Sequence, residues 1–218
     1  MLIKWVGHSC FHITTQDGID IVTDPFDNTI GYKPVHEKAD ILLVTHDHFD
    51  HNYKEGITGD YTLIDQPGTY NVKGIDVLGI GTYHDDQQGA LRGKNTAYLF
   101  VAEGIRMLHM GDIGVMPEQS FFDAVGGVDI LMVPVGGTYT FNAKEALAFV
   151  NKLDPNITIP MHYKTPDLDM DIAGVNDFLT LAKKEYDRSR LGISTFEISV
   201  DNLKKRGRIV VMECANCN

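Results

Sequence analysis

Ala39-Asp40-Ile41-Leu42-Leu43-Val44-Thr45-His46-Asp47-His48-Phe49-Asp50-His51 is the stretch on which the reading of this chain turns. Its first half, residues 39–45, is a nearly continuous apolar run of the length expected for a strand buried on both faces. The run stops abruptly in His-x-His-x-Asp-His at residues 46–51. At this chain's own composition, chance supplies roughly 0.0015 copies of that pattern. In extended backbone His46, His48 and Asp50 fall on one side, because side chains alternate with period 2. His51 breaks the alternation, so the chain has to turn there, and one loop can then serve two adjacent metal ions. Neutral imidazole and carboxylate are the donors zinc accepts when no thiolate is offered.

The rest of the chain suits such a loop. Its 218 residues are ample for a hydrophobic core. Nine histidines, and Asp as 22 of the 30 acids, supply donors for hard or borderline metals. The net charge of −11 argues against nucleic acid held on a broad basic face. No apolar run approaches the length of a membrane span, and no signal peptide is visible at Met1-Leu2-Ile3-Lys4-Trp5. Three cysteines cannot build a disulfide framework. A cytoplasmic protein with reduced thiols is the expectation.

Short β-prone runs are expected over 2–6, 10–14, 19–23, 61–64, 75–80, 96–101, 106–110, 130–135, 157–161, 195–200 and 208–213. Helical spacing appears over 142–153, with Asn142 and Glu145 placed for a capping box. A second amphipathic helix is expected over 172–186. No linker divides the chain, so 1–218 reads as one α/β domain with many strands and few helices.

With the loop at 46–51, the ordered set Asp24, Gly111-Asp112 and Pro160-Met161-His162-Tyr163 resembles the signature of the metallo-β-lactamase superfamily. The resemblance covers essentially the whole chain. Gly7-His8-Ser9-Cys10-Phe11 and Pro134-Val135-Gly136-Gly137 point to its compact branch of ascorbate-phosphate lactonase-like proteins, with ribonuclease Z more distant. It implies an αββα four-layer sandwich with the metal site at the strand-end edge between two sheets. It implies two divalent ions, zinc first, with manganese or iron open. His46, His48 and His84 would hold one, Asp50, His51 and His162 the other, and Asp112 would bridge them. A hydroxide between the metals would attack an ester, lactone or phosphodiester of a small, anionic or neutral molecule, with Asp50 passing a proton to the leaving group.

His84 competes with His109 for the third position. An odd separation from Asp112 would put His109 on the opposite face if that stretch stays extended, which favours His84. His109, His8 and Asp24 are then expected behind the ligands, Asp24 orienting a ligand histidine. Lys164, Arg92, Tyr139 and Tyr163 are candidates for substrate contact, against plain loop or packing roles. Cys214 and Cys217 read as part of a frayed tail, with a shared metal or disulfide in a homo-oligomer a lesser option. Two further readings stay open: a ribonuclease Z-like nuclease, disfavoured by acidity, and a metal-binding protein without hydrolysis.

Overall fold

The computed structural model describes residues 1–204 and 206–217. Two mixed sheets carry the fold. The first runs, in spatial order, Thr195–Glu197, Leu2–Gly7, Cys10–Thr14, Asp20–Thr23, Ile41–Leu43 and Thr62–Ile64. The second runs Asp187–Arg190, Arg208–Val211, Ile157–Met161, Ile130–Pro134, Ile105–His109, Lys94–Ala102, Ile75–Tyr83 and Gly68–Val72.

Strand alternation sorts the core into two layers. Ile3, Trp5, Phe11, Ile13, Ile21, Ile41 and Leu43 face the second sheet and share one large apolar cluster with it. Their neighbours Val6, Cys10, Val22, Leu42 and Val44 join a smaller cluster with Phe26, Ile30, Tyr32 and Val35. Ile41–Leu43 is therefore covered on both faces, as its unbroken apolar run requires. The α-helices Gln119–Val125, Ala143–Leu153 and Asn176–Leu181 each send apolar side chains into the large cluster. The α/β sandwich of two sheets with few helices is thus present. The layer beyond the first sheet is built from loops and the 3-10 turn Asn28–Ile30.

Local chemistry explains the elements that the sequence predicts well. Asn142 Oδ1 accepts from the Lys144 and Glu145 amides, and Glu145 Oε2 accepts from the Asn142 amide at 2.9 Å, closing the capping box. Glu103 and Gly104, at φ 53° and 76°, form the tight turn between Lys94–Ala102 and Ile105–His109.

Tertiary contacts override the pattern elsewhere. The helix expected over 172–186 is regular only at Asn176–Leu181, followed by the 3-10 turn Ala182–Lys184. Residues 172–174 are not helical, because Lys164 N donates to Ala173 O and Ala173 N to Gly136 O. The C-terminal tail is not frayed. Cys214 and Cys217 form a disulfide, and the Ala215 and Asn216 amides donate to the Trp5 and Val6 carbonyls at 3.1 and 3.0 Å. The strands Gly68–Val72 and Asp187–Arg190 and the helix Gln119–Val125 carry too weak a period to be seen in the sequence.

Strand direction then decides where function can sit. Asp20–Thr23 and Ile41–Leu43 are parallel, and Leu2–Gly7 reaches them through two antiparallel pairings, so it runs the same way. In the second sheet Ile105–His109, Ile130–Pro134 and Ile157–Met161 are parallel, and Ile75–Tyr83 shares their direction through two antiparallel steps. His8, Asp24, the 46–51 loop, His84, Asp112 and His162 all lie just beyond the carboxyl ends of these co-directed strands. Crevices at such ends are where open α/β sheets bind ligands.

Candidate metal centre

Asp24 is the node on which the loop is built. Thr45 leaves the strand ladder because its amide and hydroxyl both donate to Asp24, at 2.8 and 2.7 Å. The Thr45 oxygen then accepts from His46 Nδ1 at 2.9 Å, and Asp24 Oδ2 accepts from His51 Nδ1 at 3.0 Å. One fully buried carboxylate thereby orients both imidazoles, His51 directly and His46 through Thr45. Asp24 thus fixes the orientation of His46 and His51.

The loop turns earlier than alternation suggests. His51 N donates to His48 O at 3.0 Å, so residues 48–51 form one turn that contains Asp50. That turn separates the donors. His46, His48 and His84 have ligand atoms within 4.8 Å of one another, as do His8, Asp50, His51 and His162. Asp112 Oδ2 lies between the groups, 3.2 Å from His84 Nε2, 3.2 Å from His162 Nε2, 3.3 Å from His51 Nε2 and 4.0 Å from His46 Nε2. His51 Nε2, both His162 ring nitrogens and Asp112 Oδ1 are buried without a hydrogen-bond partner among the described residues. Buried polar atoms are rarely left so, and their convergence suits a divalent cation.

The backbone is forced at the same points. His8, Asp24 and His162 have φ of 52°, 39° and 49°, left-handed values that cost free energy and gather at functional sites. Gly111, at φ 54°, admits no Cβ, which would strike Asn95 Oδ1 and Thr45.

Burial and then the charge of His51 push His46 down to about 3, so it is neutral. Burial and then His162 push His8 down to about 4, against its bond to Asp50. Burial opposes charge on His51 as well, but Asp112, Asp50 and Asp24 together outweigh it and raise its pKa. Burial would raise Asp112 and Asp50, and the surrounding histidines hold both carboxyls below the usual range.

His84 joins the centre and His109 does not. His109 Nε2 donates to Ser9 O at 2.8 Å and its Nδ1 accepts from the Gly111 amide at 3.2 Å, so both nitrogens are used. The backbone beyond His109 is not extended, so parity is not the reason: Gly111 turns the chain to present Asp112. His8 Nε2 binds Asp50 Oδ2 at 3.1 Å.

Of the four substrate-contact candidates, Arg92 and Tyr139 line the cavity over the centre, whose volume is about 370 Å³. Lys164 and Tyr163 do not line it. The Lys164 ammonium is held by the Leu168 and Met170 carbonyls, and Tyr163 is buried against Trp5 at 5.1 Å between ring centroids. Both follow His162, where the chain turns back into the fold.

Two residues at the site escape sequence reasoning. Asn95 is buried, donates to Thr82 Oγ1 and Met110 O, and accepts the Asp112 amide at 3.0 Å. A lone Asn within a strand carries no signal. Asp85, beside His84, accepts the amides of Gln87, Gly89, Leu91 and Arg92 at 2.7–3.0 Å. Those four bonds outweigh burial and keep the carboxyl low. Asp85→Ala is expected to free this loop and speed exchange of those four amides by about tenfold or more. Unchanged protection would mean that the loop is held otherwise.

The β-lactamase superfamily domain matches residues 2–162. A UPF0173 protein of Pyrococcus abyssi is 32% identical over 188 residues, covering 76% of this chain and 84% of its own. A UPF0173 metal-dependent hydrolase of Thermoplasma acidophilum is 31% identical over 192 residues, with the same two shares of 76% and 84%. A crystal structure from Thermotoga maritima, assigned to the metallo-β-lactamase superfamily with zinc-dependent hydrolysis as its suggested activity, superposes with TM-score 0.79 at 36% identity. It covers 97% of this chain and 98% of that one. Strand ends, donor sets and relatives converge: the chain belongs to the metallo-β-lactamase superfamily, among its metal-dependent hydrolases.

Proposed function

We propose that the chain hydrolyses an ester, lactone or phosphodiester of a small molecule at a dinuclear centre. The observation that carries this is the pair of donor groups on either side of Asp112, with buried ring nitrogens that have no hydrogen-bond partner among the described residues. His46, His48 and His84 would hold one divalent ion, Asp50, His51 and His162 a second, with Asp112 common to both. All-nitrogen and oxygen donors suit zinc first, then manganese or iron. Such ions supply a water acidic enough to attack near neutral pH and polarise the oxygen of the bond being broken.

The chain's own residues do the rest. Asp24 holds His51 and, through Thr45, His46 in one orientation. Asn95 holds the Asp112 backbone. Asp50 lines the cavity with His8 behind it, placed to take a proton and give it to the leaving group.

Elemental analysis with a turnover screen tests this. The expected result is about two metals per chain and hydrolysis of p-nitrophenyl acetate or bis-p-nitrophenyl phosphate that chelation abolishes and metal restores. Turnover indifferent to chelation, or a metal-loaded protein inert to the whole panel, would overturn it.

A further inference from the structure

The cavity over the donors has walls that an ionic centre alone does not call for. Besides the histidines and carboxylates it is lined by Phe49, Leu91, Met170, Tyr139 and Arg92. Phe49 and Leu91 are 63% and 62% exposed, the two most exposed large hydrophobic side chains among the described residues. Folding normally gains by withdrawing such groups from water. Here both stand at the mouth of one cavity, from separate segments: Phe49 from the 48–51 turn, Leu91 from the loop tied to Asp85. Met170 joins from a third segment. Apolar side chains converging from separate segments form a patch, and exposed patches mark binding surfaces.

Arg92 adds the second element. It is the only lysine or arginine lining the cavity among the described residues. Its guanidinium stands 5.6 Å from the Tyr139 ring centroid and forms no ion pair among the described residues. The Asp85 carboxylate accepts the Arg92 amide, so this cation is carried on an organised loop. A guanidinium held over an aromatic face keeps its donors free for a carboxylate or phosphate.

We propose that the centre takes amphiphilic anions: an alkyl or aryl group lies on Phe49, Leu91 and Met170, and a carboxylate or phosphate of the same molecule pairs with Arg92. This rests on the hydrolytic reading for where the reacting bond sits, but the binding it predicts needs no turnover.

Calorimetry on the zinc-loaded protein with acetate, octanoate and octanamide tests it. Octanoate is expected to bind about tenfold tighter than acetate or better, a fraction of what its extra methylenes yield when fully buried. Phe49→Ser with Leu91→Ser, both at exposed positions, should cut that preference to about threefold or less. Arg92→Gln should weaken octanoate about fivefold or more and leave octanamide unchanged. Octanoate binding no tighter than acetate, a preference that survives the double substitution, or Arg92→Gln affecting both eight-carbon probes alike would each overturn the proposal. A parallel screen of p-nitrophenyl octanoate and the diester separates the two readings. The binding pattern without any turnover sinks hydrolysis and keeps the amphiphile site. Turnover without the pattern does the reverse.

Discussion

Asp112→Asn is expected to lower turnover by about a thousandfold or more and bound metal from about two per chain to one or fewer. One carboxylate oxygen gathers ring nitrogens of His51, His84 and His162 within 3.3 Å, with His46 at 4.0 Å. That oxygen thus faces members of both donor sets. An amide there is nearly the same size but neutral, and loses several kcal/mol of charge stabilisation, with about 1.4 kcal/mol per tenfold in rate. The fold should survive, since the Asp112 amide still reaches Asn95 Oδ1. Metal content, steady-state turnover and a urea melt on one preparation check this. Unchanged stoichiometry with turnover within tenfold of wild type would show that Asp112 is not shared.

Asp24→Ala is expected to destabilise the protein by about 3–5 kcal/mol, the range for removing one partner from a buried charged network. The Thr45 amide and hydroxyl and His51 Nδ1 would all lose their acceptor in a dry site. Metal affinity should fall about 10–100-fold, because His46 and His51 lose their orientation. Burial alone would raise the Asp24 carboxyl, yet His51 and then His109 and His46 hold it below its ordinary value. A carboxyl depressed in the folded state contributes stability above its unfolded value and loses it as pH falls through the folded one. Wild-type stability should therefore drop as pH falls below the ordinary carboxylate range, and the Asp24→Ala slope there should be shallower. Urea midpoints from neutral to acid pH measure both. A change under about 1 kcal/mol with parallel pH slopes would remove Asp24 from its place as the node.

Other features mark the edge of what a sequence discloses. The helix Ala143–Leu153 is legible because Asn142, Glu145 and the apolar face act within a few residues of each other. The helix expected over 172–186 is shortened because Ala173 finds a carbonyl at Gly136, far away in the chain. The Cys214–Cys217 disulfide is local, but the docking of the segment it closes on Trp5 and Val6 joins residues from opposite ends of the chain. Lys164 and Arg92 look alike as loop cations, yet one is bound by backbone carbonyls and the other lines the cavity.

The amino-acid sequence by itself determined the chemistry on offer: a His-x-His-x-Asp-His loop after a doubly buried strand, and Asp24, Asp112 and His162 each after a β-prone run. Those features are local, because a strand's burial and the donors at its end are set by adjacent residues. The tertiary structure decided how the donors divide into two groups, why His84 joins them and His109 does not, and which side chains line the cavity. Those outcomes depend on strand direction and on partners such as Asn95, Ser9 and Asp24 that come from other strands. Only the packing of one sheet on the other brings six strand ends to a single edge.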